Sequence, residues 1–375
     1  MARGGALHLV LAITLVLHLL APSEGLWSKT ANQQDDQRLI GWDGDTYKPK
    51  SINVKVEVSG GGASKAGGND RQQEPWVQVL AWSPRAFVYH NFLSKAEVKH
   101  ILQLAAPQMK RSTVVGANNT GVVDSIRTSA GTFLMRNQDE VIKRVEQRLA
   151  LWVQLPASHQ EDMQVLRYAA TNKYGAHMDG LDRVMSVLIY LVEPESGGET
   201  AFPNSKEWLH PEMGEPTQGE FSDCAKGHVA YKPKSGDALM FYDLKPDYKK
   251  GDGMAMHTGC PVVEGVKWNA VKWIHGKPFR QEEWDASFSR APAEPLPDPG
   301  MCADTHEACE RWATAGECAA NPGFMLGSSS GRGACRRACK ECEPCVAGDA
   351  ACIAANRDKA GFLNLDPKEF KGAMD

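Results

Sequence analysis

The chain carries a single long hydrophobic run. Residues 6–21 are mostly Leu, Ala and Val, and no comparable run follows, which excludes a bundle of membrane-spanning helices. A charge surplus is also lacking. Against 46 Asp and Glu stand 42 Lys and Arg, a net charge of −4 with the signs mixed, so the basic footprint of a nucleic-acid-binding surface is absent. Histidine is scarce where cysteine crowds: His306 is the only one between Cys302 and Cys342, which argues against a Cys/His zinc site. Residues 26–74 lack apolar surface. With Gly60, Gly61, Gly62, Gly67 and Gly68 they read as a flexible linker without chemistry.

What is present points to two folded parts, since 375 residues exceed one average domain. Ten cysteines, an even number, fit an oxidising compartment. Arg3, the run 6–21 and the small and polar residues Pro22, Ser23, Glu24 and Gly25 make residues 1–25 a signal peptide or signal anchor. His8 and His18 interrupt the run and favour cleavage, so membrane attachment is expected only if this segment stays. The expected location is the secretory pathway: the endoplasmic reticulum, lumenal or as a type II membrane protein, or the Golgi, with secretion also open. Asn118-Asn119-Thr120 is a glycosylation sequon at Asn118.

Residues 75–290 form the larger folded region. A strand is expected over 82–93, then a helix opened by a capping box of Ser94 and Glu97. A strand over 127–134 and a helix over 138–152 follow. From 164 onward the apolar period changes to that of strands: 164–169, 183–192, 227–232, 237–243 and 265–275, punctuated by Gly, Pro and Asp. This predicts a mainly β domain with flanking helices, an antiparallel sandwich or jelly roll whose mouth would hold a ligand. A proline-rich linker (291–301), a cysteine cluster (302–342) and a charged tail (343–375) complete the chain.

Within the sequence YAATNKYGAHMD at 168–179, His177 and Asp179 stand two apart. On an extended strand such residues point to one face and supply two-thirds of the two-His, one-carboxylate triad of non-haem Fe(II) oxygenases. The tripeptide alone is a weak signal. A third ligand should lie on a later strand, and His257 is followed by a turn and the strand VKWNAVKWIH. There Lys267, Asn269, Val271 and Trp273 share one largely apolar face. A lysine in that setting either snorkels to the rim or is buried and needs an anionic partner, which a dicarboxylate such as 2-oxoglutarate would provide.

Residues 84–276 resemble the catalytic domain of the plant and algal prolyl 4-hydroxylases, which are Fe(II)/2-oxoglutarate dioxygenases. The matching segments are PRAFVYHNFLS, RTSAGTFL, QVLRY, YGAHMD, GGETAFP, KPKSGDALMF and HTGCPVVEGVKWNAVKWI. The resemblance implies a double-stranded β-helix (jelly-roll) core, with Fe(II) held by His177, Asp179 and His257 and Lys267 paired with the distal carboxylate of 2-oxoglutarate. It implies that Tyr168 helps to hold that carboxylate, and that Tyr174, Arg183 and Trp273 line a peptide groove. Read from the residues alone, Tyr174 and Trp273 also suit a core, and Arg183 a solvated strand start. The implied activity is hydroxylation of peptidyl proline with O2 and 2-oxoglutarate, with ascorbate as a supporting reductant. Extensin-like, arabinogalactan-like and collagen-like proline-rich substrates remain open. So do peptidyl-lysine hydroxylation and a non-catalytic binding module. Only Gly180, Leu181 and Asp182 separate Asp179 from Arg183, where the family often carries a longer segment beside the groove.

Six cysteines, Cys302, Cys309, Cys318, Cys335, Cys339 and Cys342, sit in a segment too small to fold on a hydrophobic core alone. Their spacing leaves 15 pairings open. The pattern resembles the ShKT module, which implies Cys302–Cys342, Cys309–Cys335 and Cys318–Cys339. Cys224 and Cys260 are expected to pair within the catalytic region, and Cys345 with Cys352 to close a local loop.

Overall fold

The computed structural model describes residues 74–111, 114–115, 121–122, 127–180, 182–289, 297–327, 332–346, 348–370 and 372–373. The leader 1–25, nearly all of 26–74, Asn118, Leu181 and most of the proline-rich segment lie outside them. The strand expected over 82–93 is the shorter β2 (Arg85–His90), and it pairs antiparallel across Ser83 and Pro84 with a strand that the pattern did not mark, β1 (Trp76–Trp82). Proline has no amide hydrogen to give a ladder, so the chain turns at Pro84.

Helix α1 (Lys95–Ala105) begins as its capping box requires, with the Glu97 amide donating to Ser94 Oγ and the Ser94 amide donating to Glu97 Oε2. Helix α2 (Glu140–Val153) starts two residues later than the apolar stripe suggests, because Asp139 Oδ1 accepts from the amides of Val141 and Ile142 and fixes the N-cap there. Arg148 of α2 donates to Glu97 of α1 at 2.7 Å and joins the two.

The strands follow in order. They are β3 (Lys110–Arg111), β4 (Val114–Val115), β5 (Gly121–Val122), β6 (Ala130–Leu134), β7 (Met163–Tyr168), β8 (Tyr174–His177), β9 (Arg183–Val192), β10 (Ser196–Gly197) and β11 (Thr200–Phe202). Then come β12 (Val229–Tyr231), β13 (Ala238–Tyr242), β14 (His257–Gly259), β15 (Val262–Glu264) and β16 (Lys267–His275). A major sheet runs β1-β2-β13-β9-β16-β7-β6-β3 and a minor one β12-β11-β14-β8. Their inner faces pack together: Val88, Tyr190 and Leu239 of the major sheet meet Phe202, Val229 and Tyr231 of the minor. This is the antiparallel jelly roll with flanking helices that the strand pattern predicted.

Period-2 alternation sorts β16 as the sequence suggested. Lys267, Asn269, Val271 and Trp273 all line the cavity between the sheets. On the opposite face Lys272 is wholly buried and meets Glu146 of α2 at 2.8 Å, so α2 covers one end of the outer surface of the major sheet.

Five disulfides staple the chain: Cys224–Cys260, Cys302–Cys342, Cys309–Cys335, Cys318–Cys339 and Cys345–Cys352. The three in the cysteine cluster are the pairs that the ShKT resemblance implies. Around them Cys309, Met325 and Cys335 make a core of their own. Residues 343–375 are more than a charged tail. They include a helix, Ala350–Lys359, against which buried Gly300 packs so closely that an added Cβ would lie 2.5 Å from Ile353. Among the described residues no helix is long and apolar enough to cross a membrane.

Candidate active site

Strands β8 and β14 pair so that His177 and His257 stand directly opposite, with ring centroids 4.2 Å apart. Strand β8 ends at His177, and Asp179 lies beyond it rather than on an extended strand. Its carboxylate still converges, with Oδ1 3.7 Å from His177 Nε2 and Oδ2 3.9 Å from His257 Nε2. Side-chain hydrogen bonds bring it there. Trp273 Nε1 donates to Asp179 Oδ2 at 2.8 Å, and Ser186 Oγ donates to the same oxygen at 2.6 Å.

The backbone sets the tautomer of both imidazoles. His177 Nδ1 donates to the Gly175 carbonyl (2.8 Å) and His257 Nδ1 to that of Ala255 (3.1 Å). Each Nε2 therefore carries a free lone pair facing Asp179, the second-sphere arrangement usual for metal-bound histidine. Burial, reinforced by His257, pushes His177 down to about 4. Burial likewise lowers His257, so both rings are neutral at neutral pH. Burial alone would raise Asp179, but His257 and the hydrogen bonds from Ser186 and Trp273 outweigh it and hold the carboxyl below its ordinary range. Two neutral imidazoles and one carboxylate form the single cluster of this kind among the described residues, and the donor set fits Fe(II).

Ser186 Oγ also lies 2.9 Å from Asp243 Oδ2. One hydroxyl hydrogen cannot serve two carboxylates. Burial, then the charge of Asp179, raises Asp243 well above the ordinary carboxylate range. Sequence reasoning missed both residues, because their only signal is spatial.

Deeper in the cavity, Lys267 is 3% exposed, which settles the choice between burial and snorkelling. It stands in register with Tyr168 on β7, and its Nζ lies 5.5 Å from that ring and donates to the Gly198 carbonyl at 2.7 Å. Gly198 adopts φ +71, and a Cβ there would come within 3.3 Å of the lysine stem. This is the physical use of the second glycine in GGETAFP. Burial pushes Lys267 down to about 7, opposed by the charge of Glu199. Glu199 is fully buried and held by the amide and hydroxyl of Ser222.

Half-buried Tyr174 packs against the apolar cluster of Leu166, Tyr168, Val262 and Val271, and it also stacks on His177 at 3.7 Å and lines the cavity. Arg183 is not a solvated strand start. Its Nε donates to Glu161 at 2.6 Å, and its guanidinium lies 3.8 Å from the centre of the Trp273 ring. His275 shares Glu161, with Nε2 2.9 Å from Oε1. Arg127, whose guanidinium sits 4.8 Å from the Tyr174 ring, completes this rim. Neither Glu161 nor Arg127 was legible in the sequence, since each is an ordinary surface residue type until the fold places it.

A jelly roll with this donor set at its mouth and a lysine buried behind it defines an Fe(II)- and 2-oxoglutarate-dependent oxygenase. Comparison with known proteins agrees: the family model for the 2OG-Fe(II) oxygenase superfamily matches residues 163–275. Prolyl 4-hydroxylase 2 of Arabidopsis thaliana is 40% identical over 277 residues, 71% of this chain and 88% of that protein. Probable prolyl 4-hydroxylase 4 of the same plant is 40% identical over 278 residues, again 71% and 88%. The crystal structure of a viral collagen prolyl hydroxylase from Paramecium Bursaria Chlorella virus-1, in its 2OG complex, is 25% identical and covers 50% of this chain and 94% of that one, with a TM-score of 0.37. The chain belongs to the prolyl 4-hydroxylase family of the 2OG-Fe(II) oxygenases.

Proposed function

We propose that this protein converts peptidyl proline to 4-hydroxyproline in proteins of the secretory pathway. The reaction consumes one O2 and one 2-oxoglutarate and yields succinate and CO2. The observation that carries the reading is the pairing of a complete His177, Asp179 and His257 donor set with buried Lys267 in one cavity. Bound by those three residues, Fe(II) supplies the O2 chemistry that hydroxylates an unactivated C–H bond.

The protein's own groups do the rest. Lys267 neutralises the distal carboxylate of 2-oxoglutarate, which gives the buried ammonium an ion-pair partner inside the cavity. Tyr168, cross-strand from Lys267, is proposed to help hold the same carboxylate. Trp273 and Ser186 keep Asp179 aimed at the metal position. Leu166, Leu188 and Val271 wall the cavity with apolar surface and so exclude water around the reacting centre. Tyr174 and Trp273 line the cavity, and they are proposed to meet a proline-rich chain, with Arg183 stacked on Trp273 beside them.

Ascorbate is the proposed reductant for turnovers that fail to reach the peptide. The lumen of the endoplasmic reticulum or Golgi is the proposed location, supported by the leader-like residues 1–25, by five disulfides and by the sequon at Asn118. The C-terminal module is proposed to be an ShKT domain.

The test incubates purified protein with Fe(II), 2-oxoglutarate, ascorbate and extensin-like, arabinogalactan-like or collagen-like peptides, followed by mass spectrometry. Gain of one oxygen on proline is expected. Gain only on lysine, or none on any peptide, would overturn the reading. His177→Ala, Asp179→Ala and His257→Ala should each abolish 2-oxoglutarate decarboxylation.

A further inference from the structure

The co-substrate pocket has a back wall as well as an inner one. Lys267 and Tyr168 are cross-strand partners on the inner face of β16 and β7. Their immediate neighbours Trp268 and Arg167 are also cross-strand partners, and alternation turns them to the outer face. Helix α2 covers that face at the Lys272 end of β16. At the Trp268 end the cover comes from the far C-terminus of the chain.

After the helix Ala350–Lys359, the chain crosses the outer edge of the major sheet. Phe362 bridges Lys110 of β3, whose ammonium lies 4.3 Å from the centre of the Phe362 ring, and the Leu363 amide donates to the Met109 carbonyl at 2.9 Å. Six residues on, Glu369 receives a two-pronged ion pair from Arg167, with Nε to Oε2 at 2.7 Å and the terminal nitrogen to Oε1 at 2.5 Å. Phe370 lies 5.2 Å from Trp268. Trp268 is 0% exposed and Phe370 only 9%, so the end of the chain seals a large aromatic side chain that would otherwise face water.

The root of this segment is tied to the disulfide module. Arg357 donates to Asp298 Oδ2 at 2.7 Å and to the Leu363 carbonyl, and Arg336, beside Cys335, donates to the carbonyls of Pro299 and Asn356.

We propose that residues 362–370 are a positioning strap, anchored on the disulfide module, that fixes β7 and β16 from behind. Tyr168 and Lys267 are thereby held at the spacing that 2-oxoglutarate requires. Arg167, Trp268, Glu369 and Phe370 are its positioning residues, and none touches the co-substrate. A bidentate Arg–carboxylate pair fixes geometry as well as adding energy, and the buried aromatic contact sets how far Trp268, and with it the adjacent Lys267, can shift.

The inference rests on the reading of Lys267 and Tyr168 as the 2-oxoglutarate anchors. The test uses the full chain with Mn(II) in place of Fe(II), so that binding is measured without turnover, and compares the parent with Glu369→Gln and Phe370→Ala. Isothermal titration should show a 2-oxoglutarate Kd raised about three- to ten-fold in both variants, the size expected when coupling through a packed contact is lost. The Mn(II) Kd should stay within about two-fold of the parent, because the metal ligands do not lean on the strap. Hydrogen exchange should quicken in β7 and the Lys267 end of β16. Reversing the pair, Arg167→Glu with Glu369→Arg, should recover the Kd lost in Arg167→Glu alone, including if Phe370→Ala fails to fold. Unchanged 2-oxoglutarate affinity in Glu369→Gln, or no recovery in the reversed pair, overturns the strap. A parent protein that does not bind 2-oxoglutarate would instead overturn the assignment of Lys267.

Discussion

A buried ammonium needs a counter-charge, and the partner that Lys267 Nζ holds within the pocket is the Gly198 carbonyl. Its burial keeps the free group near pH 7, and a bound dicarboxylate must raise that value, because it favours the charged form. The sign follows. Below about pH 7 the lysine is already protonated and 2-oxoglutarate affinity should be flat; above it, binding takes up a proton and affinity should fall by up to about tenfold per pH unit. Titration calorimetry from about pH 6 to about pH 9, in two buffers of different ionisation heat, reads both the affinity and the proton uptake. A pH-independent Kd would show that the lysine charge does not carry the binding. Lys267 was legible in the sequence because it is the one lysine on the largely apolar strand face it shares with Asn269, Val271 and Trp273. Ser186, Asp243 and Glu161 were not, because they act through hydrogen bonds to residues distant in the chain.

At the scale of elements, β16 is the strand on which the two covers of the major sheet meet. Lys272 projects outward from it to Glu146, and Glu146 Oε2 also accepts the Asn137 amide at 2.9 Å. Breaking a buried pair from one side leaves an uncompensated charge, so Lys272→Met should cost about 3–5 kcal/mol. Adding Glu146→Leu should recover much of that loss in chemical denaturation, apart from the share owed to the Asn137 amide. A double-variant loss equal to the sum of the losses in Lys272→Met and Glu146→Leu alone would mean that the pair is not coupled. Element types were largely readable from period and capping, and β9 begins and ends where the pattern placed it. Some boundaries were not. The turn at Pro84 confined the first expected strand to β2 and left β1 before it unmarked, and β8 stopped at His177, so Asp179 reaches the site through Trp273 and Ser186 rather than through strand alternation.

For the molecule as a whole, the three metal donors come from β8, the segment after it and β14, so the ion would cross-link two strands of the minor sheet to a loop. A ligand bound only by the folded state raises stability in step with its concentration over Kd. Adding Mn(II) at about 100 times its Kd should therefore stabilise the protein by about 2.7 kcal/mol, read as a higher Tm, and EDTA should reverse it. In Asp179→Ala the Mn(II) effect should disappear. The sequence alone determined the chemistry and the class of fold. Residue type and local period are properties of the chain, and a histidine, a carboxylate and a lysine on an apolar strand face carry their meaning with them. Only the tertiary structure decided what those groups lean on. The Nδ1 contacts that set the histidine tautomers, the buried Asp243 behind Ser186 and the Glu161 clamp on Arg183 each depend on how the strands fold around the site. So does the strap from Phe362 to Phe370, which joins residues about 200 positions apart, a distance over which no local pattern reports contact.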